Sequence, residues 1–303
     1  MAAEESKEYL DLKAFIILFV VTMVWGLNHP SIKYVNQGVA PVFASTIRSM
    51  VASICGVIYC LWRKEKLFHT DINLLHGVVV GLLFGSEFAC LYFGLLYTDA
   101  ARSIIFIYLS PFIVAVGAHF FLKGDRLTPL KGLGLVIAFS GVLLVFQGRP
   151  QTAKPTMFFG DMLEIIAAFL WALTTLYIKR FMAGKVQPIN TFLYQLVFSI
   201  PILLVVSLVL EPQWVIMLNP SIVACLFFQS VIIAFITYFI WFMLIHEYSV
   251  SRLSAFTFFT PIFGVLAGVL FLKEEFTVSL MIGLPMVCIG IFLVNWKRKR
   301  SPS

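Results

Sequence analysis

Charged side chains are scarce in this sequence. Asp, Glu, Lys and Arg make up 12% of its 303 residues, against roughly 25% in ordinary soluble domains. So few charges cannot cover a globular surface of this size, which excludes a water-soluble fold. Disorder is excluded too, because disordered chains are poor in apolar and aromatic residues and this one is 60% hydrophobic and 16% aromatic. Cysteine and histidine number five each. Cys55, Cys60, Cys90, Cys225 and Cys288 all sit in apolar stretches with no pair in any loop, so neither a disulfide framework nor a zinc spacing is present. They read as small core residues. The scattered histidines form no metal cluster. A P-loop is missing, which argues against direct drive by ATP, and so are H-E-x-x-H and G-x-S-x-G. No catalytic set and no cofactor are expected.

What the chain does have is long apolar runs. Mean hydropathy is +0.96, and 31 residues are Phe. A hydrocarbon core about 30 Å thick needs about 20 helical residues. Ten runs meet that length, near 14–35, 42–62, 74–97, 101–122, 129–147, 159–181, 189–210, 221–246, 251–272 and 278–296. They are continuously apolar rather than alternating, so they predict helices and not a barrel. The expected fold is an all-α polytopic membrane protein. A polar tail, 1–13, precedes a first run too long for a secretory signal, which predicts a retained span. The expected organisation is a first unit over 14–148, a connecting loop at 149–158, a second unit over 159–296 and a basic tail at 297–303.

Lys and Arg distribute unevenly between the two sides of this layout. One side holds Lys7, Lys13, Arg63, Lys64, Lys66, Lys123, Arg126, Lys131, Lys179, Arg180, Lys185, Arg252 and the terminal Lys297-Arg298-Lys299-Arg300. The other holds Lys33, Arg102, Arg149, Lys154 and Lys273, while Arg48 lies inside a span. By the positive-inside rule both termini are expected in the cytoplasm. The same bias accounts for the net charge of +7 without nucleic acid. The terminal basic cluster reads as a stop-transfer anchor, with a lipid head-group contact as the alternative.

The two halves resemble each other. Trp25 and Lys33 match Trp171 and Lys179 at an offset of 146. Ala101-Arg102-Ser103 matches Ser251-Arg252-Leu253, Pro111 matches Pro261, and Phe121-Leu122-Lys123 matches Phe271-Leu272-Lys273, all at 150. Gly134 and Gly141 match Gly283 and Gly290 at 149. Five spans per copy is an odd number, so the second copy enters the bilayer from the opposite side. The expectation is two inverted five-helix repeats with a site near the midplane between them, the plan of many secondary transporters.

On these residues the chain resembles the drug/metabolite transporter superfamily, specifically its ten-helix EamA-type members. The resemblance is carried by Trp25-Gly26 and Trp171-Ala172, by Ala44-Ser45-Thr46-Ile47-Arg48, and by Gly94 to Arg102 running on to Pro111 and Phe121-Leu122-Lys123-Gly124-Asp125-Arg126-Leu127. The counterpart stretch is Ser249 to Pro261 and Phe271-Leu272-Lys273-Glu274-Glu275. It covers about residues 14–296. The resemblance implies a secondary active transporter in the bacterial inner (cell) membrane. Export of an amino acid or related small metabolite by alternating access is favoured. Membrane lipid is the surroundings and protons are a candidate driving ion; monomer and homodimer both stay open. Rival readings are an uncoupled facilitator or channel, and a non-transporting scaffold or receptor.

Polar residues inside spans usually face a cavity or a partner. In Trp25-Gly26-Leu27-Asn28-His29-Pro30, the proline removes a helical hydrogen bond. Trp25, Asn28 and His29 then line a cavity at a broken helix, or mark a kink near the interface. Arg48 either snorkels outward or binds a carboxylate or phosphate, and its repeat counterpart is Gln195. Glu87 either pairs with Arg48 or takes up and releases protons as a coupling group. Glu164 shares a helical face with Trp171 and Thr175 and is the second coupling candidate, or an acid near the interface. Asp161 reads as a cap or dipole partner of its own helix. Tyr194 and Gln195 in the seventh span, and Tyr238 and Trp241 in the eighth, belong to polar-aromatic stripes that line the cavity or pack. Pro111 and Pro261 are hinge candidates, with plain packing as the alternative. The four paired glycines predict close helix approach.

Overall fold

The computed structural model describes residues 7, 9–67, 72–98, 100–147, 156–272 and 278–296, and for 29, 30, 33, 72, 73, 100, 101 and 268–272 the backbone only. The tail 297–303, the connection 148–155 and the His29, Pro30 and Lys33 side chains therefore lie outside the described residues. Among the described residues there is no strand, only two isolated bridges. The spans are α1 Leu12–Val35, α2 Pro41–Arg63, α3 Ile72–Gly94, α4 in two pieces Ala100–Ile107 and Ser110–Phe121, and α5 Pro129–Phe146. The second half repeats the series. It has α6 Met157–Tyr177 extended by π-helical turns Ile178–Met182, and α7 Pro188–Leu210. Next come α8 in three pieces Pro220–Phe227, Phe228–Thr237 and Tyr238–Glu247, α9 in two pieces Val250–Phe256 and Phe259–Leu272, and α10 Val278–Asn295. Among the described residues nine of these stretches are long and apolar enough to cross a membrane, and α1 contributes a shorter apolar stretch, Leu12–Asn28. The protein is an integral multi-pass membrane protein.

Local chemistry sets the helix ends. Pro41, Pro129, Pro188 and Pro220 open α2, α5, α7 and α8, where the missing N–H is not needed. Asp11 accepts from the Ala14 N–H at 2.8 Å, and Asn219 from the Ile222 N–H at 2.8 Å, each satisfying an orphan donor of a first turn. The start of α2 is capped from a distance: Glu211, at the end of α7, accepts from the Val42 and Phe43 N–H groups at 2.7 and 2.9 Å. At the other end of the same pair, Asn190 donates to the Lys66 carbonyl at 3.0 Å. α2 and α7 are thus tied at both faces.

The inverted arrangement is visible in α5 and α10. A Cβ built on Gly134 would lie 2.6 Å from the Gly290 carbonyl oxygen, and one on Gly141 2.7 Å from that of Gly283. The contacting pairs cross the sequence match: Gly134 aligns with Gly283 but meets Gly290. Equivalent helices of the two copies therefore run antiparallel, as inversion requires. Copies in matching orientation would have made them parallel.

Both prolines of the repeat match mark real interruptions. α4 breaks over Tyr108-Leu109 and α9 over Thr257-Phe258, immediately before Ser110-Pro111 and Thr260-Pro261. The ring clashes with the carbonyl four residues back and withholds one donor. At Pro30 the outcome differs, because α1 is assigned as one unbroken helix through it.

The N-terminal segment folds onto one face, here termed the terminal face. There Asp125 accepts from Lys131 Nζ at 2.9 Å and from the Ser251 N–H at 3.0 Å. Lys131, expected as a loop charge, is instead 5% exposed within this brace. Burial alone would raise the Asp125 carboxyl, but the Lys131 ammonium and the Ser251 donors outweigh it and hold it below the usual carboxylate range.

Candidate functional site

A cavity of about 120 Å³ lies between the repeats. That is room for roughly ten waters on the measure in which one takes about 10–15 Å³, or for one small organic solute. Its walls are built from symmetry mates. Trp25 and Trp171, Asn28 and Thr174, and Ile32 and Ile178 come from α1 and α6. Arg48 and Gln195 come from α2 and α7, while Phe88 and Tyr238, Leu91 and Trp241, and Tyr92 and Phe242 come from α3 and α8. Tyr108 and Thr260, beside the two helix breaks, complete it. The cavity therefore sits on the axis that relates the copies.

The chemistry is not symmetric. Arg48 and Glu87 belong to the first repeat, and their mates Gln195 and Thr237 are neutral. Arg48 is 1% exposed. Its guanidinium lies 4.1 Å from the centre of the Phe88 ring and 5.6 Å from that of Tyr238, so two symmetry-related aromatics flank one cation. Among the described residues no ion pair within 4 Å joins Arg48 to Glu87, so the pairing that is one of the two readings of Glu87 is not a direct salt bridge. Instead Arg48 Nε and Nη2, Glu87 Oε2, Asn28 Oδ1, Tyr92 Oη and Gln195 Oε1 are all buried without a hydrogen-bond partner. Every one of these residues lines the cavity. Buried polar groups are nearly always paired; several of the exceptions meet in this space, while others, on Asn36, Ser45, Ser49, Asn190 and Asn295, lie away from it.

An aromatic wall fixes the rest. Trp25 Nε1 donates to Thr237 Oγ1 at 2.7 Å, and its ring lies 5.7 Å from Tyr238 and 5.3 Å from Trp241. Thr237 closes the π-helical stretch of α8 and donates in turn to the Ile233 carbonyl at 2.7 Å. Such wide turns recur at functional sites. On the far side Tyr108 meets Trp171 edge-on at 6.1 Å.

Of the residues singled out in the sequence, the structure brings Trp25, Asn28, Arg48, Glu87, Trp171, Thr175, Gln195, Tyr238 and Trp241 to this one space. Tyr194 is elsewhere: it is one helical step, about 100°, from Gln195 and packs against Gly77 and Phe198. Glu164 is fully buried beside Ser103, but it abuts Gly94 of α3. It has the face of Trp171 but lies about 10 Å further along the axis. Pro111 and Pro261 lie beside the cavity, at the helix breaks. Asp161 does not cap its own helix; it accepts from Thr98 and Arg102. His29 lies outside the described side chains. Sequence reading passed over Phe84, Phe88, Leu91 and Tyr92, although with Glu87 they recur at helical spacing and mark one face of α3.

Comparison with known proteins follows the same division of the chain. Residues 12–147 and 158–296 each match the EamA-like transporter family. The uncharacterized transporter YoaV of Bacillus subtilis is 23% identical over 93% of this chain and 96% of its own. Probable amino-acid metabolite efflux pumps of Escherichia coli and Salmonella typhimurium are 24% and 26% identical, over 95% and 92% of this chain and 98% and 93% of theirs. A solved crystal structure shares the fold, with a TM-score of 0.77 at 18% identity, over 92% of this chain and 95% of the other.

Proposed function

Because the chain belongs to the EamA-like transporter family, a transporter of small molecules, we propose that it is a secondary active exporter of an amino acid or closely related metabolite. In this reading it works by alternating access in the inner (cell) membrane, with both termini cytoplasmic. The observation that carries the substrate class is the set of unpaired polar atoms around the cavity. A charge at mid-membrane costs at least about 3 kcal/mol, and a cation–π contact returns about 0.5–2 kcal/mol. Two aromatic neighbours offset much of that cost, but they leave Arg48 Nε and Nη2 without a hydrogen-bond acceptor. A substrate carboxylate supplies one through charge-assisted bonds. Glu87 offers the complementary acceptor for a substrate ammonium, and the aromatic wall takes an apolar side chain. The amino-acid metabolite efflux pumps among the relatives favour the same class.

In this reading Glu87, and secondarily Glu164, exchanges protons to couple transport, and the breaks at Pro111 and Pro261 let the copies rock. The test is transport in proteoliposomes. Saturable counterflow of an amino acid, accumulated under a pH gradient, is the expected result. Glu87→Gln should abolish gradient-driven accumulation while counterflow persists at weakened substrate affinity, because the amide oxygen still accepts from the substrate ammonium but without charge. Non-saturable flux of unrelated solutes would instead identify a pore, and unchanged accumulation in Glu87→Gln would remove that residue from coupling.

A further inference from the structure

Two small polar clusters outside the cavity are related by the repeat. On the face opposite the termini, Thr98 Oγ1 donates to Asp161 Oδ1 at 2.6 Å, and Arg102 binds both oxygens of the same carboxylate. This joins the α3–α4 corner of the first copy to the start of α6 in the second. On the terminal face, Tyr248 Oη donates to Asp11 Oδ2 at 2.7 Å. Lys7 bridges Asp11 and Glu247 through its ammonium, and its backbone bonds Glu247 O and Ser249 N at 2.8 and 3.1 Å. This joins the α8–α9 corner of the second copy to the start of α1 in the first.

Thr98 and Tyr248 match at the offset of 150, as do Arg102 and Arg252, but Arg252 donates to the Val294 carbonyl and Lys7 supplies the cation on the terminal face. The acids occupy the start of equivalent spans, Asp161 lying four residues, about one helical turn, deeper than the α1–α6 match would place it. The same device, a hydroxyl at the corner bound to an acid at the head of the first span, is thus built twice, once at each face. Each copy crosses the boundary between repeats.

Other links have a different character. α2 and α7 are tied to each other at both faces, through Glu211 and through Asn190. The Asp125–Lys131–Ser251 brace lies among α4, α5, α9 and α10, which pack on one another. The corner clusters hold the heads of α1 and α6, the helices that bring Trp25 and Trp171 to the cavity; toward their other ends α1 accepts from Gln229 at Ser31, and α6 donates through Lys179 to the Ile245 and His246 carbonyls.

We propose that Thr98–Asp161–Arg102 and Tyr248–Asp11–Lys7 are paired latches, one at each mouth of the cavity, and that release of either biases the protein toward opening at that face. This rests on the alternating-access reading. Bonds to a charged group are among the stronger ones, so Asp161→Asn should shift the balance about tenfold. Asp11→Asn should shift it less and in the opposite sense, because the Asp11 side chain is 48% exposed and that of Asp161 5%.

The experiment places a reporter cysteine in the cavity wall, Leu91→Cys, and labels it with a membrane-impermeant maleimide from each side of oriented vesicles. Asp161→Asn is expected to raise labelling from the face opposite the termini and lower it from the terminal face; Asp11→Asn does the reverse. Thr98→Val and Tyr248→Phe, which each remove one hydrogen bond and no charge, repeat both shifts more weakly and serve if the acid variants misfold. A reporter labelled unequally from the two faces, with a ratio that neither pair of variants moves or that both move the same way, overturns the latches and leaves alternation standing. Equal labelling from both faces in every variant overturns alternation itself, and the latches with it.

Discussion

Gly134 and Gly290 face each other across α5 and α10 with no room for a side chain. A Cβ on either would come within 2.6 Å of the other's carbonyl oxygen. Gly141 and Gly283 repeat the contact at 2.7 Å. In lipid, association of helices depends on such close packing, since apolar burial alone gives no preference for a neighbouring helix over acyl chains.

Gly134→Leu should therefore be destabilising, because the obstructing atoms are backbone and cannot rotate away. Overpacking costs typically 1–3 kcal/mol, and this case belongs at the upper end. The expected result is a melting temperature lowered by at least several degrees in detergent. Gly132→Leu, on the same helix with open space around it, should melt close to the parent protein. Equal behaviour of the two variants would contradict the packing described.

Arg48→Gln separates stability from binding. The guanidinium has two buried nitrogens without partners, so its replacement by the smaller neutral amide removes buried unpaired donors and the melting temperature should stay close to that of the parent. Stabilisation by an added carboxylate solute should vanish, because only ligand binding the folded state raises the melting point. A variant that melts lower yet responds to ligand as before would show Arg48 to be structural.

Much of this was legible in the sequence because charge in a bilayer is costly. The scarcity of Lys and Arg, and their crowding between spans, delimits the helices. The odd number of spans per copy predicts the inversion that the Gly134–Gly290 contact displays. The cavity residues were readable where a polar or large aromatic side chain interrupts an apolar helix, as at Arg48, Glu87, Trp171 and Tyr238. Depth was not readable. Glu164 has the right face but stands a turn or more beyond the cavity, and nothing in a helical wheel records that. Nor was the partner of a buried charge. Asp161 belongs to Thr98 and Arg102, some 60 residues away in sequence, a choice made by the crossing of α3 and α6.

Trp25→Phe tests the bond that closes the cavity wall. The indole N–H to Thr237 is 2.7 Å long and joins α1 to α8 across the repeats. Thr237 keeps its bond to Ile233, so no polar group is orphaned. The loss should be limited to about 0.5–1.5 kcal/mol. The ring contacts with Tyr238 and Trp241 are largely kept by Phe. Trp25→Ala removes them as well and should cost several kcal/mol. Thermal melting of the two variants distinguishes the hydrogen bond from the ring.

Acid should destabilise the protein through Asp125. Its carboxyl is held below the usual range in the folded chain, so the folded state binds the proton less readily than the unfolded state does. The stability it confers is complete above the unfolded value, about pH 4, and is lost as pH falls through the lower folded value. Asp11 moves in the same direction, through the Ala14 N–H first and then the Tyr248 hydroxyl, but it is water-exposed and contributes less. The Asp125 contribution, read as the difference in melting temperature between the parent and Asp125→Asn, should be flat from pH 7 to 5 and shrink below about pH 4. Asp125→Asn leaves Lys131 buried without its counter-ion, at a cost of about 3 kcal/mol. It should melt lower at pH 7 and converge with the parent at the acid end. Adding Lys131→Met removes the stranded charge and should recover part of the loss. Parallel curves at every pH would mean that the brace does not titrate with folding.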